Sequence, residues 1–239
     1  MMMSSEIEII HVSSPNIIIV KNFLNKQDIE KIMSTSKWSE DIWEIDFKIN
    51  YPKQEDMPEN IWSAIKRWDG MCINISRKNK EYDLDYNFYD KVSDDIKGYV
   101  SQKFNVDNLR REQYLINRWR IGRQQSPHLD YFIEDDRDHD YEMLAGYGLD
   151  KNSIDSFKKS FKTKHYSSLV YLNDDYEGGE LYFPQHDNYA IKPEPGTLVC
   201  FKGDDENLHG VKEITEGTRY TLSMFWEDLD YMNKINPKV

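Results

Sequence analysis

What this 239-residue chain lacks bounds what it can be. It has two cysteines, Cys72 and Cys200, too few and too far apart for a disulfide framework. Its opening "MMMSSEIEIIHV" has neither the basic flank nor the unbroken apolar stretch of a secretory leader, so a reducing, cytoplasmic setting is expected. No apolar run approaches the ~20 residues that cross a bilayer, so no membrane partner is expected. Dense cationic blocks are missing as well. The formal charge of -12 repels phosphate backbones and argues against nucleic acid as a partner. There is no internal repeat and no low-complexity linker.

What is present is a globular composition. Hydrophobic residues make up 38% and aromatic residues 13%, enough to stabilise a sizeable core by burial. Residues 1–110 read as an α+β support. "NIIIVKNFL" is a β-branched run, and Asn25 then caps a helix with Ile29, Ile32 and Met33 at helical spacing. Trp43, Ile45 and Phe47 alternate as in a strand, "MPENIWSAIKRW" is a candidate helix, and a further helix falls within "YDLDYNFYDKVSDDIKGYVSQKF". From residue 111 to 229 short strands are punctuated by turns: "EQYLINRWRI", "SSLVYLND", "GGELYFP", "YAIKP", "GTLVCF" and "RYTLSMFW". The pattern predicts one mainly β domain over 1–239 with flanking helices, its core a jelly roll, that is, a cupin-like double-stranded β-helix. Residues 133–165 interrupt the strands. They form an insertion that is either a lid or a solvated excursion.

In "SPHLDYFIEDD", His128 and Asp130 are two apart, so on a strand both side chains share one face. Aspartate is abundant here, and the pair alone is weak evidence for a metal. His209, in "DENLHGV" after the strand "GTLVCF", supplies a third ligand if antiparallel folding brings it alongside. Two histidines and a carboxylate leave coordination positions open for a co-substrate and oxygen on iron, but zinc hydrolases use the same types. Arg219, ten residues after His209 in an apolar strand, wants an anion if buried. Thr221 would share its face, and together they suit the distal carboxylate of a dicarboxylic co-substrate. If that strand lies at a sheet edge, Arg219 pairs with a surface acid instead.

Taken in order, "NIIIVKNFLNKQDIEKI", "RWRIGRQQSPHLD", "SSLVYLNDDYEGGELYFP" and "KPEPGTLVCFKGDDENLHGVKEITEGTRYTLSMFW" resemble the Fe(II)- and 2-oxoglutarate-dependent dioxygenases of the prolyl 4-hydroxylase type, from about Asn16 to Asp228. The resemblance implies iron ligation by His128, Asp130 and His209. It implies a salt bridge from Arg219 to the 5-carboxylate of 2-oxoglutarate, with Tyr171 and Thr221 beside it, and structural roles for Gly178 and Gly179. Trp119 and Gln125 stand where many relatives carry tyrosine.

The activity so implied is hydroxylation of an unactivated C–H, with molecular oxygen as co-substrate, succinate and carbon dioxide as co-products and ascorbate as reductant. The substrate implied is peptidyl proline, as in procollagen-proline 4-dioxygenases, with Trp119, Tyr131 and the insertion as contacts. Another amino-acid side chain, a small metabolite, or a catalytically silent binding module are the alternatives. A nucleic-acid demethylase is disfavoured, because Phe225 stands where that family places a second arginine. His165 and His186 read as loop or surface histidines, Cys200 as a small core hydrophobe, and "EDDRDHD" as a solvated loop.

Overall fold

Apolar residues alternate along the long strands, and the alternation sends them to two different layers. The computed structural model describes residues 17–36, 43, 72–78, 80, 82–130 and 164–235. Its elements are β1 (Ile17–Val20), α1 (Lys26–Ser36), β2 (Cys72–Asn74), α2 (Tyr86–Phe104), β3 (Leu109–Arg120) and β4 (Gln125–His128). There follow β5 (Tyr166–Tyr171), β6 (Tyr176–Gly178), β7 (Leu181–Phe183), β8 (Tyr189–Ile191), β9 (Leu198–Lys202), β10 (His209–Val211), β11 (Ile214–Asp228) and α3 (Leu229–Ile235).

Every strand pairing is antiparallel. The larger sheet runs β1-β9-β5-β11-β3-β2, with β6 on β11, and the smaller runs β4-β10-β7-β8. This is the mainly β jelly roll that the spacing of short strands predicts. The even-numbered residues of β11, Leu222, Met224 and Trp226, join Val170, Leu198 and Cys200 in a core under α1 and α2, against Ile32, Val92, Ile96 and Val100. The odd-numbered Tyr171, Val199 and Phe201 pack with Leu181, Phe183 and Ile191 of the smaller sheet. Each fully buried aliphatic or phenyl side chain contributes about 1.5–3 kcal/mol. A one-residue slip of β11 would exchange its two faces, so burial fixes the register that places Arg219.

Capping sets where the helices begin. The Asp28 N–H donates to Asn25 Oδ1 (2.9 Å) at the head of α1, and the Phe88 N–H donates to Asp85 Oδ1 (3.2 Å) at the head of α2. α2 ends at Asn105 in the left-handed region, with its N–H on the Ser101 carbonyl. No described helix is long and apolar enough to cross a membrane.

Two expectations are corrected. Trp43 is helical, not extended; it is fully buried and stacks on the Arg118 guanidinium at 4.3 Å, so tertiary packing overrides the local alternation. His165 does lie in a loop, but it is buried and not at the surface: its Nδ1 accepts the Asp228 N–H (3.0 Å) and its ring meets Tyr231 edge-on. Ile45, Phe47, the segment "MPENIWSAIKRW", Tyr131, the run "EDDRDHD" and the insertion up to residue 163 lie outside the described residues.

Candidate active site

The two candidate histidine ligands meet through strand pairing. β4 ends on His128 and β10 begins on His209, and the two are directly opposite in the antiparallel register. Their rings are therefore cross-strand neighbours, with centroids 4.4 Å apart. The chain leaves β4 and delivers Asp130 two residues later, 6% exposed. His209 Nε2 lies 3.4 Å from Asp130 Oδ2, and His128 Nε2 lies 3.7 Å from Asp130 Oδ1. Neighbouring donors on one small metal ion, each about 2.1 Å from it, are separated by about 3 Å, so these distances need only slight side-chain adjustment. His128, Asp130 and His209 are the one group of three or more such side chains brought together among the described residues.

The surrounding groups orient this set for a cation. His209 Nδ1 donates to the Asn207 carbonyl (2.9 Å), which can only accept, so Nε2 is the nitrogen turned to Asp130 and carries the lone pair whenever the ring is neutral. Phe201 and Phe183 hold the same ring from the sides, at 4.6 and 6.1 Å. Ser167 Oγ donates to Asp130 Oδ2 at 2.5 Å. Burial alone would raise the Asp130 carboxyl; His209 first, then His128 and Lys164, outweigh it and hold that carboxyl well below the usual carboxylate range. Burial lowers the Lys164 ammonium, opposed by Asp130 and Glu112, while its Nζ lies 4.4 Å over the Phe225 ring. The Gln125 side-chain amide flanks His128 Nε2 at 3.0 Å.

A second cluster lies along β11. Arg219 is 1% exposed on a central strand between β3 and β5, so the edge-strand alternative is excluded. Thr221, two residues on, is opposite Tyr171 in register. Arg219 Nη2 donates to Tyr171 Oη (3.0 Å), and the Trp119 and Tyr171 rings flank the guanidinium at 5.7 and 4.9 Å. Asn173 clamps the strand on either side of Arg219: its Nδ2 donates to the Thr218 carbonyl and its Oδ1 accepts the Tyr220 N–H, both at 2.7 Å. Among the described residues no carboxylate pairs with Arg219, and Arg219 Nε, Thr221 Oγ1 and Tyr176 Oη are buried without hydrogen-bond partners. A buried guanidinium left in that state costs several kcal/mol. The cluster therefore fits an external carboxylate bearing on those groups.

Gly178 and Gly179, at φ +72° and +69°, make this packing possible. A Cβ on Gly178 would lie 1.9 Å from the Glu213 carbonyl oxygen. One on Gly179 would meet Ile214 Cδ1 at 2.3 Å, and both Arg219 Cδ and Tyr176 Cε2 at 3.2 Å.

All six residues that the sequence singles out, His128, Asp130, His209, Tyr171, Arg219 and Thr221, fall in these two clusters. Sequence reasoning missed Ser167, Asn207 and Tyr176. Ser167 had a signal, since residues 167, 169 and 171 share one strand face; Asn207 and Tyr176 had none beyond proximity to a ligand and to the Gly-Gly pair.

Two histidines and one carboxylate with open positions are the donor set of the mononuclear non-haem iron oxygenases. Residues 114–227 match the family described as the 2OG-Fe(II) oxygenase superfamily. Human prolyl 3-hydroxylase 2 is 38% identical over 88 residues, 34% of this chain and 12% of that protein. Mouse prolyl 3-hydroxylase 3 is 39% identical over 70 residues, 28% of this chain and 10% of that protein. The chain thus spans about an eighth or less of the length of these relatives.

Solved structures share the fold. The viral collagen prolyl hydroxylase of Paramecium bursaria Chlorella virus-1, in complex with 2OG, has a TM-score of 0.54 at 15% identity, covering 91% of this chain and 98% of its own. A Trichoplax adhaerens prolyl hydroxylase, in complex with a hypoxia inducible factor oxygen degradation domain peptide fragment, has a TM-score of 0.57 at 14% identity, covering 94% and 89%. A Pseudomonas putida prolyl-4-hydroxylase has 0.52 at 13% identity, covering 90% and 94%.

Proposed function

We propose that this protein is an Fe(II)- and 2-oxoglutarate-dependent dioxygenase that hydroxylates proline in a polypeptide. The observation that carries the reading is a buried guanidinium, Arg219, with no acid partner among the described residues, in the same barrel as a His-Asp-His metal set. A zinc hydrolase could use the same arginine for a substrate carboxylate, so dependence of turnover on oxygen and 2-oxoglutarate separates the two. In the proposed reaction 2-oxoglutarate, dioxygen and a substrate C–H give succinate, carbon dioxide and the alcohol. When bound, iron supplies the redox chemistry of oxygen activation.

The chain's own residues do the positioning. His128, Asp130 and His209 would hold the metal on one side and leave the rest of its coordination sphere to ligands. Arg219 and Tyr171 would take the distal carboxylate of 2-oxoglutarate, which fixes the direction in which its 2-oxo acid end points. Phe183 and Phe201 keep water from the His209 flank. Ascorbate would serve as external reductant. Cys72 and Cys200 are free thiols, in keeping with a reducing, cytoplasmic setting.

Proline as the target rests on the prolyl hydroxylases among the relatives and fold neighbours. The ring position has two readings. The motif order suggests C4, while the local identity with prolyl 3-hydroxylases favours C3. Purified protein with Fe(II), 2-oxoglutarate, ascorbate and proline-containing peptides should release succinate in step with a gain of about sixteen mass units on proline, the mass of one oxygen atom inserted from the cofactor chemistry. Amino-acid analysis of the product then assigns the position. Succinate release without any modified proline would overturn the substrate; modification that persists without oxygen would overturn the reaction.

A further inference from the structure

The three orphaned polar atoms around Arg219 do not all belong to residues that the motif order singles out. Tyr176 comes from β6, which pairs with the start of β11 so that Tyr176 faces Gly217. Its side chain is 2% exposed and packs with Trp119, Val211 and Ile214. Its ring lies under Lys192 Nζ at 4.7 Å, and that ammonium also donates to the Tyr176 carbonyl, so one side chain holds both the ring and its backbone. Arg219 is close enough to act on the Tyr176 oxygen as a donor, though without a well-formed hydrogen bond, and since a guanidinium cannot accept, the phenolic hydrogen has no acceptor among the described residues. Burial pushes this phenol up to about 12, partly offset by Arg219, so it is an O–H donor at neutral pH.

A buried tyrosine O–H with no acceptor is costly, whereas phenylalanine would fill the same space. Gly179 sharpens the point: its missing side chain is what lets the Tyr176 ring and the Arg219 stem occupy one small volume. We infer that Tyr176 is a further positioning residue for the co-substrate, its hydroxyl donating to the distal carboxylate of 2-oxoglutarate alongside Arg219 and Tyr171. The inference rests on the proposed 2-oxoglutarate chemistry and assigns that anion site a donor from the strand before the Gly-Gly turn.

The test is anaerobic calorimetric titration of the Fe(II)-loaded protein, wild type and Tyr176→Phe, with 2-oxoglutarate and with 2-oxobutyrate, which keeps the 2-oxo acid end and lacks the distal carboxylate. Loss of one hydrogen bond to a charged group should weaken 2-oxoglutarate about tenfold in Tyr176→Phe. The affinities for 2-oxobutyrate and for Fe(II) should stay within twofold, a contrast that general loosening of the barrel would not produce. An unchanged 2-oxoglutarate affinity in Tyr176→Phe, or an equal loss for both ligands, overturns the inference and leaves the proposed function standing. If wild type itself fails to bind 2-oxoglutarate, the proposed function falls, and the inference with it.

Discussion

Ser167 Oγ donates a hydrogen bond to Asp130 Oδ2 at 2.5 Å, joining the middle of the large sheet to the carboxylate that leaves the small one. The bond fixes one carboxylate oxygen, so the metal-ligand geometry depends on the two sheets closing on each other. Ser167→Ala should therefore weaken metal binding about 10–100-fold with little loss of stability, the usual range for an outer-shell partner. Competition titration with a metal indicator reads this directly. An affinity equal to wild type would remove Ser167 from the site.

His209→Ala should abolish succinate release and cut metal affinity by at least about 100-fold, because one of three ligands is lost while Phe183 and Phe201 still hold the pocket's shape. Metal content after dialysis, measured beside turnover, separates this from simple unfolding. Full metal occupancy in the variant would show that the imidazole is not a ligand.

Arg219→Met should act in opposite directions on the free and the liganded protein. Removing a buried guanidinium with no acid partner among the described residues should raise the melting temperature of the ligand-free form, as replacement of buried ions by apolar groups often stabilises by about 1–4 kcal/mol. Wild type at 100 times its Kd should gain about 2.7 kcal/mol from 2-oxoglutarate. The variant should gain nothing. Thermal melts with and without the ligand measure both effects, and a variant still stabilised by 2-oxoglutarate would contradict the assigned anchor.

Gly178→Ala and Gly179→Ala should differ in kind. Both force a side chain into a left-handed conformation at about 1 kcal/mol or more. Gly178→Ala also drives a methyl into the Glu213 backbone, which cannot yield, and should mainly lower stability. Gly179→Ala displaces the flexible Ile214 tip and presses on Arg219 and Tyr176, so its larger effect should be on 2-oxoglutarate affinity. Denaturant melts and ligand titrations on the pair decide this; equal losses in both measurements would contradict it.

Acid should weaken the attachment of α1 to α2. Lys31 Nζ lies 2.7 Å from Asp85 Oδ2, and that side-chain hydrogen bond, then the Phe88 N–H, lowers the Asp85 carboxyl. A folded-state value below the unfolded one means the contribution is present above the unfolded value and is lost as pH falls through the folded one. Asp85→Asn keeps the cap and removes the charge, so its stability deficit, small at this exposed site, should vanish once the pH has fallen below the lowered folded-state value, where wild type is protonated too. A deficit that stays constant down to that pH would rule out the ion pair as its cause.

The short strands punctuated by turns, the capping asparagine of α1 and the order of His128, Asp130, His209 and Arg219 were all visible in the chain, because each is a local pattern or a spacing. The failures had the opposite character. Trp43 alternates with its neighbours like a strand residue, but its place under Arg118 is decided by packing against β3, which local sequence does not report. His165 looked superficial in a lysine-rich stretch, yet Asp228 and Tyr231 at the far end of the chain bury it.

By itself, then, the sequence determined which side chains can bind a metal and a carboxylate, which strand faces they share, and the architecture their spacing requires. Only the tertiary structure decided that β4 and β10 pair with the two histidines directly opposite, that β11 is central, so that Arg219 is buried, and that Tyr176 arrives beside it from another strand. The reason is physical: hydrophobic period and turn chemistry act over a few residues, whereas the convergence of donors from β4, β6, β10 and β11 is fixed by the closure of two sheets over one core.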